Sequence, residues 1–221
     1  MKYVFLILLI VFTVKHLIDS WNDDAKKRAY TKPFLLILII LFYLFSTEEY
    51  SIPLLIALTA SWLGDLLLIP KGHKWFTLGG ISFMISHFFY IFAFYGSIQF
   101  SKIPWIMIIL IALLYYGISL KIIFMLKKDT SKIMIATIYF YLLCNSTMNV
   151  FALMRFISHP SVGSFIAFIG ALLFFISDCT VILVRYSKKP EIIFKKHFTV
   201  MLTYIVGQFL ITLGIVLGNV R

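Results

Sequence analysis

Charged residues are scarce in this sequence. They make up 13% of its 221 residues, whereas about a quarter is usual in soluble domains, and 62% of the residues are hydrophobic. A chain of this composition carries more apolar surface than one water-facing core can hide, which excludes an ordinary soluble domain. We therefore predict an integral membrane protein.

Cysteines and familiar catalytic motifs are also few. The two cysteines, Cys144 and Cys179, both lie in apolar runs, where they are typical of small buried hydrophobic residues. The sequence has no serine esterase elbow, no HExxH zinc pattern and no phosphate-cradling glycine loop. Acyl-ester hydrolysis, zinc hydrolysis and ATP coupling therefore have no motif, and we expect neither a cofactor nor a metal.

Long apolar runs are present instead, each near the length that crosses about 30 Å of hydrocarbon. They are continuously apolar rather than alternating, which favours helices over a β-barrel. The first run is interpreted as a helix and not a signal peptide, because no small-residue cleavage site follows it. We predict an all-α membrane protein, with one integral membrane domain over residues 1–221 and eight transmembrane helices. The spans cover residues 2–19, 33–47, 52–69, 76–97, 103–126, 133–156, 161–184 and 197–218.

Basic residues alternate between the loops. The loops after the first, third, fifth and seventh spans, with the adjoining helix ends, hold five, two, four and five of the 20 lysines and arginines. The positive-inside rule therefore predicts that these loops are cytoplasmic and that both termini are non-cytoplasmic. Basic loops beside anionic headgroups explain the net charge of +11. We expect membrane lipids as partners and no nucleic acid, in a bacterial inner (cytoplasmic) membrane; the sequence predicts no particular oligomeric state.

Two carboxylates lie inside the predicted spans. Asp65, in "SWLGDLLLIP", and Asp178, in "GALLFFISDCTVI", are the exceptions among nine acidic residues, since the others lie in or next to loops. An ionised carboxylate at the centre of a membrane helix costs about 2.5 to 3.5 kcal/mol, so such residues usually face partners inside the bundle. Both lie about 8 to 10 Å from the cytoplasmic ends of parallel helices, in reach of one shared site near that leaflet. A cap or a lysine partner is the structural alternative.

Further polar residues cluster in the same spans. His87 is near the middle of span four as a candidate proton carrier, and Tyr90 follows it by nearly one turn. Ser61 precedes Asp65 by one turn and Ser177 directly precedes Asp178. The simplest interpretation of Asn145, Asn149 and Gln208 is hydrogen bonding between helices, with substrate contact as the alternative. Lys32 stands before Pro33, which suits the first turn of a helix, and would reach a carboxylate or a lipid phosphate.

These segments carry a family resemblance. "TKP" opening span two, "SWLGD", "FMISHFFY" and "GALLFFISD", in this order, resemble the YhhN-type lysoplasmalogenases, from about residue 30 to "YIVGQFLITLG". The resemblance implies an eight-helix membrane hydrolase that cleaves the vinyl ether of lysoplasmalogens, which are alkenyl-glycerophosphocholine or -ethanolamine, to a fatty aldehyde and a glycerophosphobase. The family's polar motif residues match Lys32, Asp65, His87, Tyr90, Ser177 and Asp178.

Vinyl ether hydrolysis sets the roles that we expect. An acid protonates the outer alkene carbon, water attacks the resulting oxocarbenium ion, and the hemiacetal collapses. Two carboxylates can divide these tasks. We expect Asp65 and Asp178 to be acid and base in an order that the sequence leaves open, with His87 as a proton relay or orienting group. The predicted substrate-binding residues are Lys32, Tyr90, Ser177, Ser61, Asn145 and Gln208, with Lys32 on the headgroup phosphate.

Two other functions use the same sequence features. A proton-coupled transporter of a small molecule or lipid would place Asp65 and Asp178 at equivalent positions of two four-helix halves. A membrane scaffold would need neither carboxylate for chemistry. Release of free aldehyde from a lysoplasmalogen favours the hydrolase, and solute flux without chemical change favours transport.

Overall fold

The protein is described by a computed structural model that covers residues 1–219, and this part of the chain is helical without strands. It contains eight α-helices and two short 3-10 helices, Phe100–Lys102 and Pro190–Ile192. The α-helices are α1 (Lys2–Trp21), α2 (Ala25–Leu44), α3 (Ile52–Leu67), α4 (His73–Tyr95), α5 (Trp105–Phe124), α6 (Lys132–Ser158), α7 (Val162–Tyr186) and α8 (Lys196–Asn219).

Six of these helices, α1 and α4 to α8, are long and apolar enough to cross a membrane. Helix α3 is apolar but has 16 residues, and α2 carries Lys26, Lys27, Arg28 and Lys32 near its start. Large apolar side chains stay exposed on the outer helices, such as Ile106 and Leu110 of α5. Because water would not tolerate so much apolar surface, the protein is an integral membrane protein. Passage of all eight helices through the bilayer remains a prediction.

Helix α2 begins eight residues earlier than the predicted span. The side chain of Asp24 caps it by accepting a hydrogen bond from the Lys27 amide at 3.1 Å. Pro33 therefore lies inside the helix, and its predicted position in a first helical turn is wrong. Proline has no N–H group, so this turn of the helix lacks one backbone hydrogen bond. The Pro33 carbonyl accepts a hydrogen bond from the indole N–H of Trp62 on α3 at 3.0 Å.

Six helices form a closed ring. Each helix packs against the next in the order α2, α3, α4, α6, α7, α8, and α8 also packs against α2. Helix α1 packs outside α2 and α8, and α5 packs outside α6 and α7. Residues that are distant in the sequence can therefore meet in the interior of this ring.

The loops at residues 22–24, 68–72, 125–131 and 187–195 lie together at one end of the bundle, which we call the basic end. The Lys127 amide donates to the Tyr186 carbonyl at 2.9 Å, and the Arg185 guanidinium lies 4.1 Å from the centre of the Phe76 ring. Trp21 packs edge-on against Phe198, with ring centres 5.1 Å apart. The four loops that hold most of the lysines and arginines, when the adjoining helix ends are counted, therefore share one end, as the alternating charge pattern predicts. The side of the membrane on which this end lies is still a prediction.

Helices α7 and α8 are the most closely packed pair. Gly170 faces the α8 backbone, and a Cβ atom on it would lie 2.6 Å from the Ile211 amide and 2.7 Å from the Gly207 carbonyl. Gly214 meets the α7 backbone at Gly163 in the same way, one heptad further along. Small residues let membrane helices approach this closely, and the contact holds the helix that carries Asp178 against the one that carries Tyr204.

Candidate active site at the basic end of the bundle

A cavity of about 570 Å³ lies inside the ring, and all six ring helices contribute to its wall. It extends from Asp23 and Lys71 in the loops of the basic end to Asp65 and Asp178 within the bundle. The two carboxylates therefore line one shared cavity, although they are 113 positions apart in the sequence.

Asp65, near the end of α3, is held by a cation and a phenol. Its Oδ1 lies 3.1 Å from the Lys32 ammonium of α2, and its Oδ2 accepts a hydrogen bond from the Tyr204 hydroxyl of α8 at 2.7 Å. The Asp65 side chain is 2% exposed, and Lys32 is 15% exposed. A buried charge needs such a partner, so Lys32 compensates the Asp65 carboxylate.

Asp178, on α7, has different partners. Its Oδ2 accepts a hydrogen bond from the Asn145 amide of α6 at 2.6 Å. His87 of α4 brings its Nε2 to 3.1 Å from the same oxygen, without the alignment of a good hydrogen bond. The His87 ring is fully buried between Phe174 and Tyr141, with ring centres at 4.9 and 5.2 Å. This packing fixes the imidazole behind Asp178.

The two sides of the cavity differ in polarity. Helices α1, α2 and α8, with the loop between α1 and α2, present a polar wall of five residues, namely His16, Asp23, Arg28, Lys32 and His197. Helices α4, α6 and α7 present a mainly apolar wall, to which Ser177, Asp178 and Arg185 of α7 add polar groups. Its apolar residues include Phe76, Ile81, Met84, Met134, Ile138, Val181 and Ile182. The cavity is therefore amphipathic, with both carboxylates within it.

Charged groups surround the mouth at the basic end. Arg28 donates to Asp23 at 2.8 Å, and this hydrogen bond holds the pKa of the Asp23 carboxyl below its usual value. Arg185 lies two turns beyond Asp178 on the same face of α7, stacked on Phe76. Lys71 is the third cation at the mouth. Three cations against one compensated carboxylate make the mouth favourable for an anion.

The predicted site residues fall into three groups according to where they lie relative to the cavity. Lys32 and Ser177 line the cavity together with the two aspartates, and Ser177 also donates to the Val200 carbonyl of α8 at 3.0 Å. His87 and Asn145 contact Asp178 from behind and do not line the cavity. Ser61, Tyr90 and Gln208 lie deeper, also away from the cavity wall.

The deeper residues form one buried hydrogen-bond chain. The Tyr90 hydroxyl donates to Gln208 Oε1, Gln208 Nε2 donates to Ser61 Oγ at 2.9 Å, and Ser61 shares a 2.7 Å hydrogen bond with Ser86. All four side chains are fully buried. Since none of them reaches the cavity, this geometry supports helix positioning rather than the substrate contact predicted for Ser61, Tyr90 and Gln208.

Several cavity residues escaped the sequence analysis. Tyr204 and Tyr141 lie in aromatic-rich spans without a motif, and only the packing shows that Tyr204 meets Asp65 and that Tyr141 lies beside the His87 ring. His16 was not among the predicted site residues; it lies in α1 and lines the cavity. Asp19 does not line the cavity; it lies next to a loop, as predicted, but is buried rather than solvated, at 7% exposed.

These observations define the class of the protein: it is an all-α integral membrane protein with a polar cavity that contains two carboxylates at one end of its bundle. The chain belongs to the YhhN family, whose sequence model matches residues 27–215. The match includes every candidate site residue named above except His16 and Asp23. No curated protein and no solved structure matches the chain significantly.

Proposed function

We propose that this protein is a lysoplasmalogenase, a membrane hydrolase that cleaves the vinyl ether bond of an alkenyl-glycerophospholipid bearing a free sn-2 hydroxyl. The observation that carries the proposal is the pair of differently held carboxylates in one amphipathic cavity. YhhN family membership is compatible with a hydrolase of this kind.

The two walls of the cavity match the two ends of a lysophospholipid. The alkenyl chain lies against the apolar wall of α4, α6 and α7, and the glycerol and phosphate face the polar wall and the mouth. Lys32 is paired with the buried Asp65, so we assign the phosphate to Lys71 and Arg185 instead of to Lys32. Arg28 is assigned with them, because its own partner, Asp23, is exposed to solvent. Lys32 then serves as the counter-ion of a catalytic carboxylate.

Asp178 is the proton donor in this mechanism. It has no lysine or arginine partner among the described residues, and its neighbours Asn145 and His87 suit a carboxyl group that changes charge during the reaction. Asp178 delivers its proton to the outer alkene carbon of the vinyl ether, and the C=C π electrons form the new C–H bond. His87 does not reach the cavity, so it is a positioning residue that orients Asp178 and exchanges a proton with it.

Asp65 is the carboxylate that is ionised when the reaction begins. Its negative charge stabilises the oxocarbenium ion, and its remaining lone pairs accept the proton that the attacking water loses. Water adds to the carbon that bears the ether oxygen and gives a hemiacetal. When the hemiacetal collapses, the bond from this carbon to the ether oxygen breaks, and Asp65 gives the proton that it took from water to the glycerol oxygen. The hemiacetal hydroxyl loses its proton to Asp178, which restores both carboxyl groups and yields the fatty aldehyde and the glycerophosphobase. One water is consumed, and no oxidant or cofactor enters this balance.

The orientation in the membrane follows from the same proposal. With the basic end cytoplasmic, the cavity mouth meets the inner leaflet, where lysophospholipid headgroups lie beside the basic loops. We assign the protein to a bacterial inner membrane with its site toward the cytoplasmic leaflet, where its partners are the lipid substrate and the surrounding lipids.

The test is aldehyde release by the purified protein. Wild type is expected to convert a lysoplasmalogen to free aldehyde, and Asp65→Asn and Asp178→Asn are each expected to lower kcat at least 100-fold. Asp129→Asn, an exposed loop carboxylate, is the matched control and should keep full activity. Undiminished aldehyde release by both site variants would exclude the mechanism.

Transport is the competing function, and the same preparation distinguishes it. In sealed vesicles, a proton-coupled carrier would move a solute without chemical change and would lose flux in Asp65→Asn and Asp178→Asn. The hydrolase instead forms aldehyde in detergent, where no gradient exists.

A further inference from the structure

His16 is a buried histidine with one ring nitrogen unsatisfied. The side chain is 1% exposed, and Nδ1 lies 2.7 Å from the Thr31 hydroxyl of α2. Nε2 has no hydrogen-bond partner within residues 1–219. Most buried polar atoms have a partner, and His16 borders the cavity, so a cavity ligand is a natural source for the missing partner.

The hydrogen bonds of Thr31 favour one tautomer of His16. The Thr31 hydroxyl donates its single hydrogen to the Arg28 carbonyl at 3.2 Å. It therefore accepts from His16, whose Nδ1 carries the proton, and the Nε2 of the neutral ring is left with a lone pair. The open position is an acceptor, which selects a ligand with an O–H or N–H group.

The surroundings narrow the ligand further. Arg28 and Lys32 lie within one helical turn of Thr31, and both act electrostatically on the His16 ring. Two neighbouring cations disfavour an ammonium donor at Nε2, which leaves a neutral hydroxyl. Lys32 in turn contacts Asp65, and His16, Lys32 and Asp65 line the same cavity.

We propose that His16 Nε2 accepts a hydrogen bond from the free sn-2 hydroxyl of the lipid and so selects lyso lipids over diacyl-type ones. The inference rests on the proposed function, in which the vinyl ether lies between Asp65 and Asp178. The sn-2 hydroxyl is on the glycerol carbon next to the one that bears the ether oxygen, and thus falls on the polar wall near Lys32. An acylated sn-2 position has no O–H to donate, so binding would leave Nε2 unpaired and buried.

Binding of a saturated ether lipid tests this without catalysis. The probes are a 1-O-alkyl lysophospholipid, which has no vinyl group to protonate, and its 2-deoxy analogue, measured on the full-length protein in detergent. Wild type is expected to bind the lysolipid about 10- to 100-fold more tightly than the deoxy lipid, as expected for loss of one hydrogen bond to a buried acceptor. His16→Leu should bind both lipids equally.

Two further variants separate recognition from folding. Thr31→Val keeps the imidazole but removes the acceptor that fixes its tautomer, and it should reduce the preference for the lysolipid. His16→Gln retains a distal amide acceptor and should restore part of the preference. Thr13→Val is the control, because Thr13 is on the same helix with an unpartnered hydroxyl but does not line the cavity. It should keep the full preference.

The outcomes distinguish this inference from the proposed function. A preference for the lysolipid that disappears in His16→Leu supports the inference even if the protein releases no aldehyde. A preference that persists in both His16→Leu and Thr31→Val overturns it, as does equal binding of both lipids by wild type. If His16→Leu instead slows turnover of lysoplasmalogen and its 2-deoxy analogue by the same factor, Nε2 holds the attacking water, and the assignment to the sn-2 hydroxyl is overturned.

Discussion

Lys32 of α2 and Asp65 of α3 form an ion pair 3.1 Å long, in which the carboxylate is almost completely buried. The two residues are on neighbouring ring helices, and the same carboxylate is bridged to α8 by Tyr204. One buried charge therefore joins three helices at the cavity.

Removing the lysine alone should be the most damaging change to this pair. Lys32→Met leaves the Asp65 charge uncompensated, and we expect a loss of about 3 to 5 kcal/mol in the free energy of unfolding. The double variant Lys32→Met/Asp65→Asn removes both charges and should recover most of that loss, without recovering activity. Thermal unfolding in detergent measures the stability of the single and the double variant. Lys27→Met, at the exposed pair with Asp24, should change little; a Lys32→Met protein as stable as Lys27→Met would contradict the pair's structural role.

His87 should affect the chemistry without contacting the lipid. His87→Phe is expected to lower kcat about 10- to 100-fold and to leave KM nearly unchanged, since the imidazole lies behind Asp178. The profile of kcat against pH should also change shape, because His87 exchanges a proton with Asp178. His159→Phe, an exposed histidine at the opposite end, is the control. A uniform loss of activity at every pH would instead indicate a purely structural role.

The contact between α7 and α8 predicts a sharp difference between two glycines. Gly170→Ala places a methyl group against the α8 backbone and should destabilise the protein by about 1 to 3 kcal/mol. Gly117→Ala, on α5, meets no atom within 4 Å and should be neutral or slightly stabilising. Thermal unfolding in detergent measures both variants, and equal midpoints would show that the close approach is not needed.

Cysteine labelling tests the orientation. In a Cys144→Ala/Cys179→Ala background, Glu48→Cys marks the end opposite the basic end and Lys128→Cys marks the basic end. A membrane-impermeant maleimide applied to spheroplasts should label Glu48→Cys, and should label Lys128→Cys after the membrane is opened. The reverse pattern would place the cavity mouth on the other side of the membrane.

Much of the fold could be predicted from the sequence because lipid requires it. Continuous apolar runs must form helices, so eight were expected and eight are present within residues 1–219. The start of α2 was misplaced because Lys26, Lys27 and Arg28 look like loop residues, whereas Asp24 caps a helix there. The first turn of α2 is charged and still helical, because it lies at the basic end, beyond the apolar part of this helix.

The candidate site was partly visible for a similar reason. Charged groups inside apolar runs are rare, so Asp65, Asp178 and His87 stand out from the sequence, and the structure brings all three to one region. Their partners do not stand out. Tyr204 is 139 positions from Asp65, and nothing in the sequence distinguishes it from the other 11 tyrosines before the helices are packed. The tautomer of His16 depends likewise on a hydroxyl of another helix.

The most direct test of the central claim is the reaction in D2O. If Asp178 protonates the outer alkene carbon, the aldehyde released from a lysoplasmalogen carries one solvent deuterium on the carbon next to the carbonyl, as read by mass spectrometry after immediate reduction to the alcohol. Asp178→Asn should form almost none of this product, and Asp129→Asn should form as much as wild type. Aldehyde without the deuterium, or equal yields from Asp178→Asn and wild type, would contradict carboxylate-driven cleavage of the vinyl ether.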